Sequence, residues 1–372
     1  MDSLPDDGGR DWTPSQAAAL AAIRRVAAEH RPLARKHLLA IMQRAGPGEE
    51  LLAAATESLK RHACVALHFH PDRVSNTGLT VAERLLAEGV YRSQFETGIS
   101  NGSPTAFPGG DRDQWETQLF QGAYGAPGVR PCERPKYGSL QVFYFADGPS
   151  PRFGSCYLVL RPEVAARCTF TYGDSYAAPT AVGTIDSFDS IMAALLGDIA
   201  ATGTALGAAG LTVRGFLEYL AREFPPCSAD PARLPVGRNL DEYIEAQVHG
   251  VIRLDRDAER IVADPSYKGT RTGAILCEIG AKYEMPVEWH RGFVLAADEV
   301  PPAFRGPVVP VFARWVARIA GTKALDAATI GVAAASLGRN PRAWRRWGSF
   351  DDSLRLLRQL WHAVVKFGAP IC

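Results

Sequence analysis

Residues 241–264, DEYIEAQVHGVIRLDRDAERIVAD, decide how the rest of the chain is read. At a period of two, Tyr243, Glu245 and Gln247 fall on one face of an extended segment and Ile244, Ala246 and Val248 on the other, the alternation of a half-buried strand. One carboxylate is therefore aimed at whatever lies across that face or, on the plainer reading, at solvent. His249 and Gly250 then interrupt the strand. A second apolar run (Val251, Ile252, Leu254) follows, and residues 261–263 make a third short extended piece.

Working outward, the nearest comparable signal is CVALHF at 64–69, a short apolar strand running into His68-Phe69-His70-Pro71-Asp72-Arg73. Two histidines at alternate positions of a strand end, beside Asp72 and Arg73, form a polar cluster that reads as a site rather than as scattered surface residues. Thr80 and Glu83 then make a capping box, a short helix follows, and Gly89 stands where a C-terminal glycine belongs. Residues 90–116, VYRSQFETGISNGSPTAFPGGDRDQWE, are rich in Arg92, Ser93, Gln94, Glu96, Asn101 and other polar groups. Tyr91, Phe95, Phe107 and Trp115 are spaced among them. A long polar stretch with that aromatic content predicts an ordered loop that wraps a ligand. Arg92 suits a phosphate or carboxylate through its planar fork, and it equally suits an ion pair with Glu96 or Asp111 that ties the loop down.

Further strands are expected at LQVFYFA (140–146), after Tyr137-Gly138-Ser139; at YLVL (157–160), after Phe153-Gly154-Ser155-Cys156; and at RCTFTY (167–172), which runs into Tyr172-Gly173-Asp174-Ser175. Cys156 at the start of an apolar strand reads as a small core residue. Helices are expected at 186–201 and 212–224. At the N-terminus Thr13, Pro14 and Gln16 form a capping box. The helix it opens is expected to stop at Pro32, with further helices at 33–44 and 49–61. Beyond 264 the pattern is helical at 270–282, 311–319, 326–337 and 353–367. The last of these packs on the core or faces a partner. The chain thus divides into a helical N-terminal region (1–62), an α+β core (63–270) and a mostly helical C-terminal region (271–372).

Composition bounds the function classes. The 372 residues are 47% apolar and 22% charged, and 41 basic residues balance 40 acidic ones to a net charge of +1. No bulk field draws the chain to nucleic acid or anionic lipid. Its seven cysteines are scattered and lack a CxxC pair, which argues against a zinc ribbon or a disulfide framework and for a reducing compartment. The polar, acidic N-terminus and the lack of a long apolar run predict neither signal peptide nor membrane span, hence a cytoplasmic protein. Export by a route that leaves no cleaved signal stays open. GxGxxG, the phosphate-binding GxxxxGK[ST] and GxSxG are absent.

Taken together, a strand ending in His68, a short helix ending in Gly89, a mid-chain Tyr-Gly or Phe-Gly followed by strands, and Glu245-Ala246-Gln247-Val248-His249-Gly250 resemble the ADP-ribosyltransferase superfamily. YRSQFETGISNG, the Gly-Ser-Cys step and YIEAQVHG also resemble an uncharacterised bacterial family over roughly residues 60–300. The superfamily resemblance implies a split, mixed or antiparallel β core with helical additions at both ends. It also implies NAD as substrate with no metal, and transfer of ADP-ribose to a macromolecular acceptor, a protein, or to water.

It further implies Glu245, His68 and His70 as catalytic residues. His68, Arg73, Arg92, Ser93, Asn101, Tyr137 and Ser155 would bind the dinucleotide, with Gln247, Tyr243 and His249 towards the acceptor. Tyr137-Gly138, Phe153-Gly154-Ser155 and Thr169-Phe170-Thr171 compete for the second motif. Two other readings stand beside it. One is a metal-dependent hydrolase built on the HFHPD cluster, with His249, Asp264 or His290 as later ligands. The other is a nucleotide-binding protein without catalysis.

Overall fold

In the computed structural model, which describes residues 12–99, 105–224 and 230–371, the 244–248 segment is a strand with neighbours on both edges. Ser139 and Thr171 flank Glu245, and Tyr137 and Thr169 flank Gln247. The strands of its eight-stranded sheet are β1 (Val65–Phe69), β2 (Lys136–Leu140), β3 (Cys156–Leu160), β4 (Cys168–Tyr172), β5 (Val182–Thr184), β6 (Ile244–Val248), β7 (Ala258–Ala263) and β8 (Val287–Trp289). They lie in the order β8-β7-β3-β1-β2-β6-β4-β5. Every pairing is antiparallel except that of β7 with β8.

The helices are α1 (Pro14–Ala45), α2 (Glu49–His62), α3 (Val81–Glu88), α4 (Gln94–Thr97), α5 (Asp111–Leu119), α6 (Asp189–Thr202), α7 (Val213–Glu218), α8 (Leu254–Asp257), α9 (Arg271–Lys282), α10 (Val308–Ile319), α11 (Ala327–Arg339) and α12 (Phe350–Phe367). The architecture is α+β, with an open mixed sheet. Ile244, Ala246 and Val248 join Leu140, Cys168, Phe170 and the buried side of α6 in the main hydrophobic core. The α1 helix packs across α6 and β5, and α2 packs on α7. At the other end of the sheet α9 covers β7, while α10, α11 and α12 pack on one another. No described helix is long and apolar enough to cross a membrane.

One junction in the sheet matters most. The β1–β2 ladder holds only two registered pairs, Val65 with Leu140 and Ala66 with Ser139, although each strand is five residues long. Beyond Ala66 the edge of β1 that faces β2 makes no further pairs with it. Residues 68–70 and 136–138 instead line the cleft described below.

Several expectations change. Pro32 does not end a helix, since α1 runs through it. The proline sits in the exposed run 28–33, where water can take the carbonyl it leaves unbonded, and packing on both sides of it holds the helix together. Pro32→Ala should therefore restore one helical hydrogen bond and raise stability by about 1–3 kcal/mol in a denaturant titration. An unchanged midpoint would mean that the bend itself is required.

The strand expected at 140–146 lies earlier, at 136–140. Gln141 still donates from its backbone to Cys64, but the following residues leave the sheet and pack Phe143 against Phe216 and Tyr219. Residues 90–91 and 252–253 pair as a separate two-stranded ribbon. The sheet takes its last strand from 287–289, past residue 270 where the sequence reading ended the core. Among the described cysteines Cys132, Cys156, Cys168 and Cys277 are outside any disulfide and Cys64 is disulfide-bonded, a single bonded cysteine and not a framework.

Candidate functional site: an arginine-lined cleft

The cleft at this junction encloses about 520 Å³. Its floor comes from strand residues. Because β6 alternates, Glu245 and Gln247 leave the core and meet a polar row made by Tyr137 and Ser139 of β2 and Thr169 and Thr171 of β4. Gln247 donates from Nε2 to Glu245 at 2.8 Å and accepts from the Thr169 hydroxyl at 2.8 Å, and the Ser175 backbone N–H reaches the second Glu245 oxygen at 3.4 Å. Glu245 is buried yet lines the cleft. Burial, and then the nearby Asp174, push its carboxyl up to about 7, against the pull of Arg112.

From β1, His68 enters the same cleft. Its Nδ1 bonds the Gly154 carbonyl at 3.1 Å, which makes that nitrogen the donor and leaves Nε2 as acceptor, 3.4 Å from the Ser150 N–H. Desolvation holds the ring neutral, with its pKa lowered to about 3. His70 is likewise buried and pushed well below the ordinary imidazole range, first by burial and then by Arg73, and its ring meets Trp361 edge-on at 5.6 Å.

Residues from 90–99 and 112–115 form one wall. Tyr91, Arg92, Gln94, Thr97, Ile99, Arg112 and Trp115 all line the cleft. The Arg112 guanidinium lies 4.4 Å from the Tyr137 ring and 5.1 Å from that of Trp115, and its Nε has no hydrogen-bond partner among the described residues. Tyr137 is held from behind by its hydroxyl donating to Glu116 at 2.8 Å, and Glu116 is held in turn by Arg134 at 2.7 Å.

Of the residues singled out in the sequence, the fold brings Glu245, His68, His70, Arg73, Arg92 and Tyr137 together around this one cleft. Arg92 is there, but Glu88 and Glu96 each grip it at 2.7 Å, so the loop-tying role is the one it fills. Ser93 caps α4 and donates to the Pro131 carbonyl, away from the cleft. Ser155 is buried against the Tyr267 hydroxyl, and its carbonyl bonds His290. Gln247 lies beneath Glu245. Tyr243 donates to Asp174 at 2.6 Å, and His249 is buried between Tyr124 and Thr169, so these three support the floor and do not face an acceptor. Asn101 lies outside the described residues. Among the three candidates for the second motif, Tyr137 and Phe153 reach the cleft and Thr169 and Thr171 do not.

Sequence reasoning missed Arg112, Lys136, Asp174 and the whole α12 wall. Lys136 donates to the Cys132 and Gly250 carbonyls at 3.0 Å each, and burial lowers its pKa to about 8. Asp174 follows Gly173 directly beyond the β4 strand end, a step visible in the sequence, but nothing there showed that it would face Glu245. Fold and cleft together define an α+β protein with a buried carboxylate under an arginine-lined opening. The chain belongs to the family described as a protein of unknown function, DUF3626, whose model matches residues 64–367, from just before β1 to the end of α12. No curated protein matches the chain.

Proposed function

We propose that this protein cleaves the nicotinamide–ribose bond of NAD and passes ADP-ribose to a macromolecular acceptor, a protein, or to water. The observation that supports this best is the placement of Glu245. It is a buried carboxylate on a central strand, open to the cleft beside Tyr137 and Arg112, with His68 entering where β1 and β2 part. On this reading the β1–β2 opening is the split of an ADP-ribosyltransferase-like sheet. The C–N bond breaks with its electron pair leaving on the nicotinamide nitrogen. The ribose carbon passes through an oxocarbenium-like state, the acceptor nucleophile bonds to that carbon, and the nucleophile's proton goes to water.

Ionised Glu245 stabilises the developing cation and accepts from a ribose hydroxyl. His68, held neutral and fixed by the Gly154 carbonyl and the Ser150 N–H, sets its ring against the other ribose. Tyr137 and Trp115 offer ring faces to the bases, and the unbonded nitrogens of Arg73 and Arg112 meet the pyrophosphate. A metal-dependent hydrolase at the HFHPD cluster has less support. Both His68 nitrogens face backbone partners, and no group of three or more His, Cys, Asp or Glu converges among the described residues.

The test is nicotinamide release from NAD by the purified chain, with and without candidate acceptor proteins and with a chelator. Release is expected to survive chelation. It should also climb from pH 6 to pH 8, because the Glu245 proton, held by burial, is lost in that range. No release under any condition overturns the transfer reading. Binding of NAD without release would place the chain among nucleotide-binding proteins without catalysis.

A further inference from the structure

The sequence reading left the C-terminal helix as packing or partner surface. In the structure α12 has a third role. Its apolar face, with Leu357, Leu360 and Trp361, enters the core, while Asp351, Leu354, Arg355, Arg358, Gln359 and His362, spaced as one helical stripe, line the cleft. Trp361 fastens the helix in place by donating to the Pro151 carbonyl at 2.7 Å, in the turn that leads to Gly154.

Arginines from three other parts of the fold come to the same wall. Arg73 follows β1, Arg152 sits in the 151–153 turn, and Arg305 precedes α10, meeting Arg355 and Arg358 of α12. Their carboxylates do not balance them. Arg152 and Arg305 share the single exposed Asp241, and Arg355 takes Asp352. Asp351 stands at the rim, and Asp72, which accepts from the Tyr267 hydroxyl, offsets part of the Arg73 charge, which leaves four carboxylates for five guanidiniums. Arg73 is 7% exposed and leaves Nε and Nη1 without hydrogen-bond partners among the described residues. Arg358 has no carboxylate partner among the described residues, and burial together with the neighbouring arginines lowers its pKa to about 10. Packing guanidiniums this way is unfavourable unless something anionic completes them.

We propose that the α12 wall is a phosphate-binding subsite, built by Arg73, Arg152, Arg305, Arg355 and Arg358, for the diphosphate of a nucleotide ligand. It deepens the transfer reading, which already sets Arg73 against the pyrophosphate of NAD, but it is tested apart from that reading, because any diphosphate ester would fill it whether or not a bond is later broken. Planar forks converging from several elements match the non-bridging oxygens of a diphosphate better than a single carboxylate. The C-terminal region is then part of the site and not an appendage to it.

The test is calorimetric titration of the full chain with inorganic pyrophosphate, ADP and adenosine, beside Arg358→Gln and, as an exposed control on α10, Arg318→Gln. Pyrophosphate and ADP should bind, adenosine should bind at least tenfold more weakly than ADP, and affinity should fall as salt rises. Arg358→Gln should lose tenfold or more in affinity for both phosphorylated probes while melting no lower than the parent in their absence, since it removes an unpaired cation. Arg318→Gln should leave binding unchanged. Equal affinity for ADP and adenosine, or pyrophosphate binding in Arg358→Gln within twofold of the parent, overturns the subsite. Phosphate-dependent binding without nicotinamide release keeps the subsite and removes the transfer reading. Release by Arg358→Gln with an unchanged KM does the reverse.

Discussion

Glu245→Gln should lower nicotinamide release about a thousandfold and, at pH 8, make the protein harder to unfold. The first effect follows from charge. A preorganised carboxylate beside a developing cation contributes on the order of 3–4 kcal/mol, and an amide of nearly the same shape supplies no charge. The second follows from linkage. The carboxyl is raised to about 7 in the folded chain by burial, above its ordinary value of 4.5 in an unfolded one. Between those values the folded state holds the proton more often than the unfolded state does, so stability falls as pH rises through that window and the full penalty applies above it. The neutral amide removes a penalty of up to about 3 kcal/mol at pH 8 and changes little at pH 4. Part of that gain is lost if the amide nitrogen turns toward the Ser175 N–H. Denaturant titrations at the two pH values, run beside the rate assay, read both effects. A variant that keeps a tenth of the parent rate would remove Glu245 from the chemistry, and one less stable at pH 8 would mean that the carboxylate is better solvated than its surroundings imply.

Gly154→Ala carries the largest structural effect we expect. A Cβ at this position would stand 2.3–2.4 Å from the backbone N, C and O of Phe69, atoms that no side-chain rotation can move aside. Either β1 or the 151–154 turn must shift, and the turn carries the carbonyl that fixes the His68 tautomer as well as the Pro151 carbonyl that anchors Trp361. We expect a loss of at least ~3 kcal/mol in denaturant titration, beyond ordinary overpacking because backbone meets backbone. Gly197→Ala is the matching control. It lies inside α6 with nothing within 4 Å of the added methyl, so it should gain up to about 1 kcal/mol from helix propensity. A Gly154→Ala protein as stable as the parent would show that the turn is free to move, and the fixed His68 would go with it.

What was legible in the sequence was local. Alternation at 243–248 predicted both the strand and which side of it Glu245 would take, because neighbouring side chains of a strand must point to opposite faces. The capping boxes at Thr13 and Thr80 and the left-handed glycine at Gly89 are all present, since each depends on a few adjacent backbone groups. Errors came where a distant partner decided the outcome. Residues 141–146 are as apolar as any strand, yet a strand needs a neighbour to bond with, and past Leu140 none runs alongside. Pro32 looks like a terminus until packing on either side of it holds one helix together. Ser93, Ser155 and Gln247 have the chemistry of ligand contacts, and only their observed bonds show that backbone and neighbouring side chains already occupy them.

The sequence by itself therefore determined the 244–248 strand and its core face, the capped starts of α1 and α3, and the carboxylate and histidine that reach the cleft, because periodicity and capping are properties of contiguous residues. Only the tertiary structure decided that β1 and β2 part after two pairs, that Asp174 and Arg112 come to stand beside Glu245, and that α12 brings its arginines to the same opening as His68. Those placements join residues as much as 294 positions apart, from His68 to His362. They are set by how sheet and helices bury their apolar faces against one another, which no local pattern encodes.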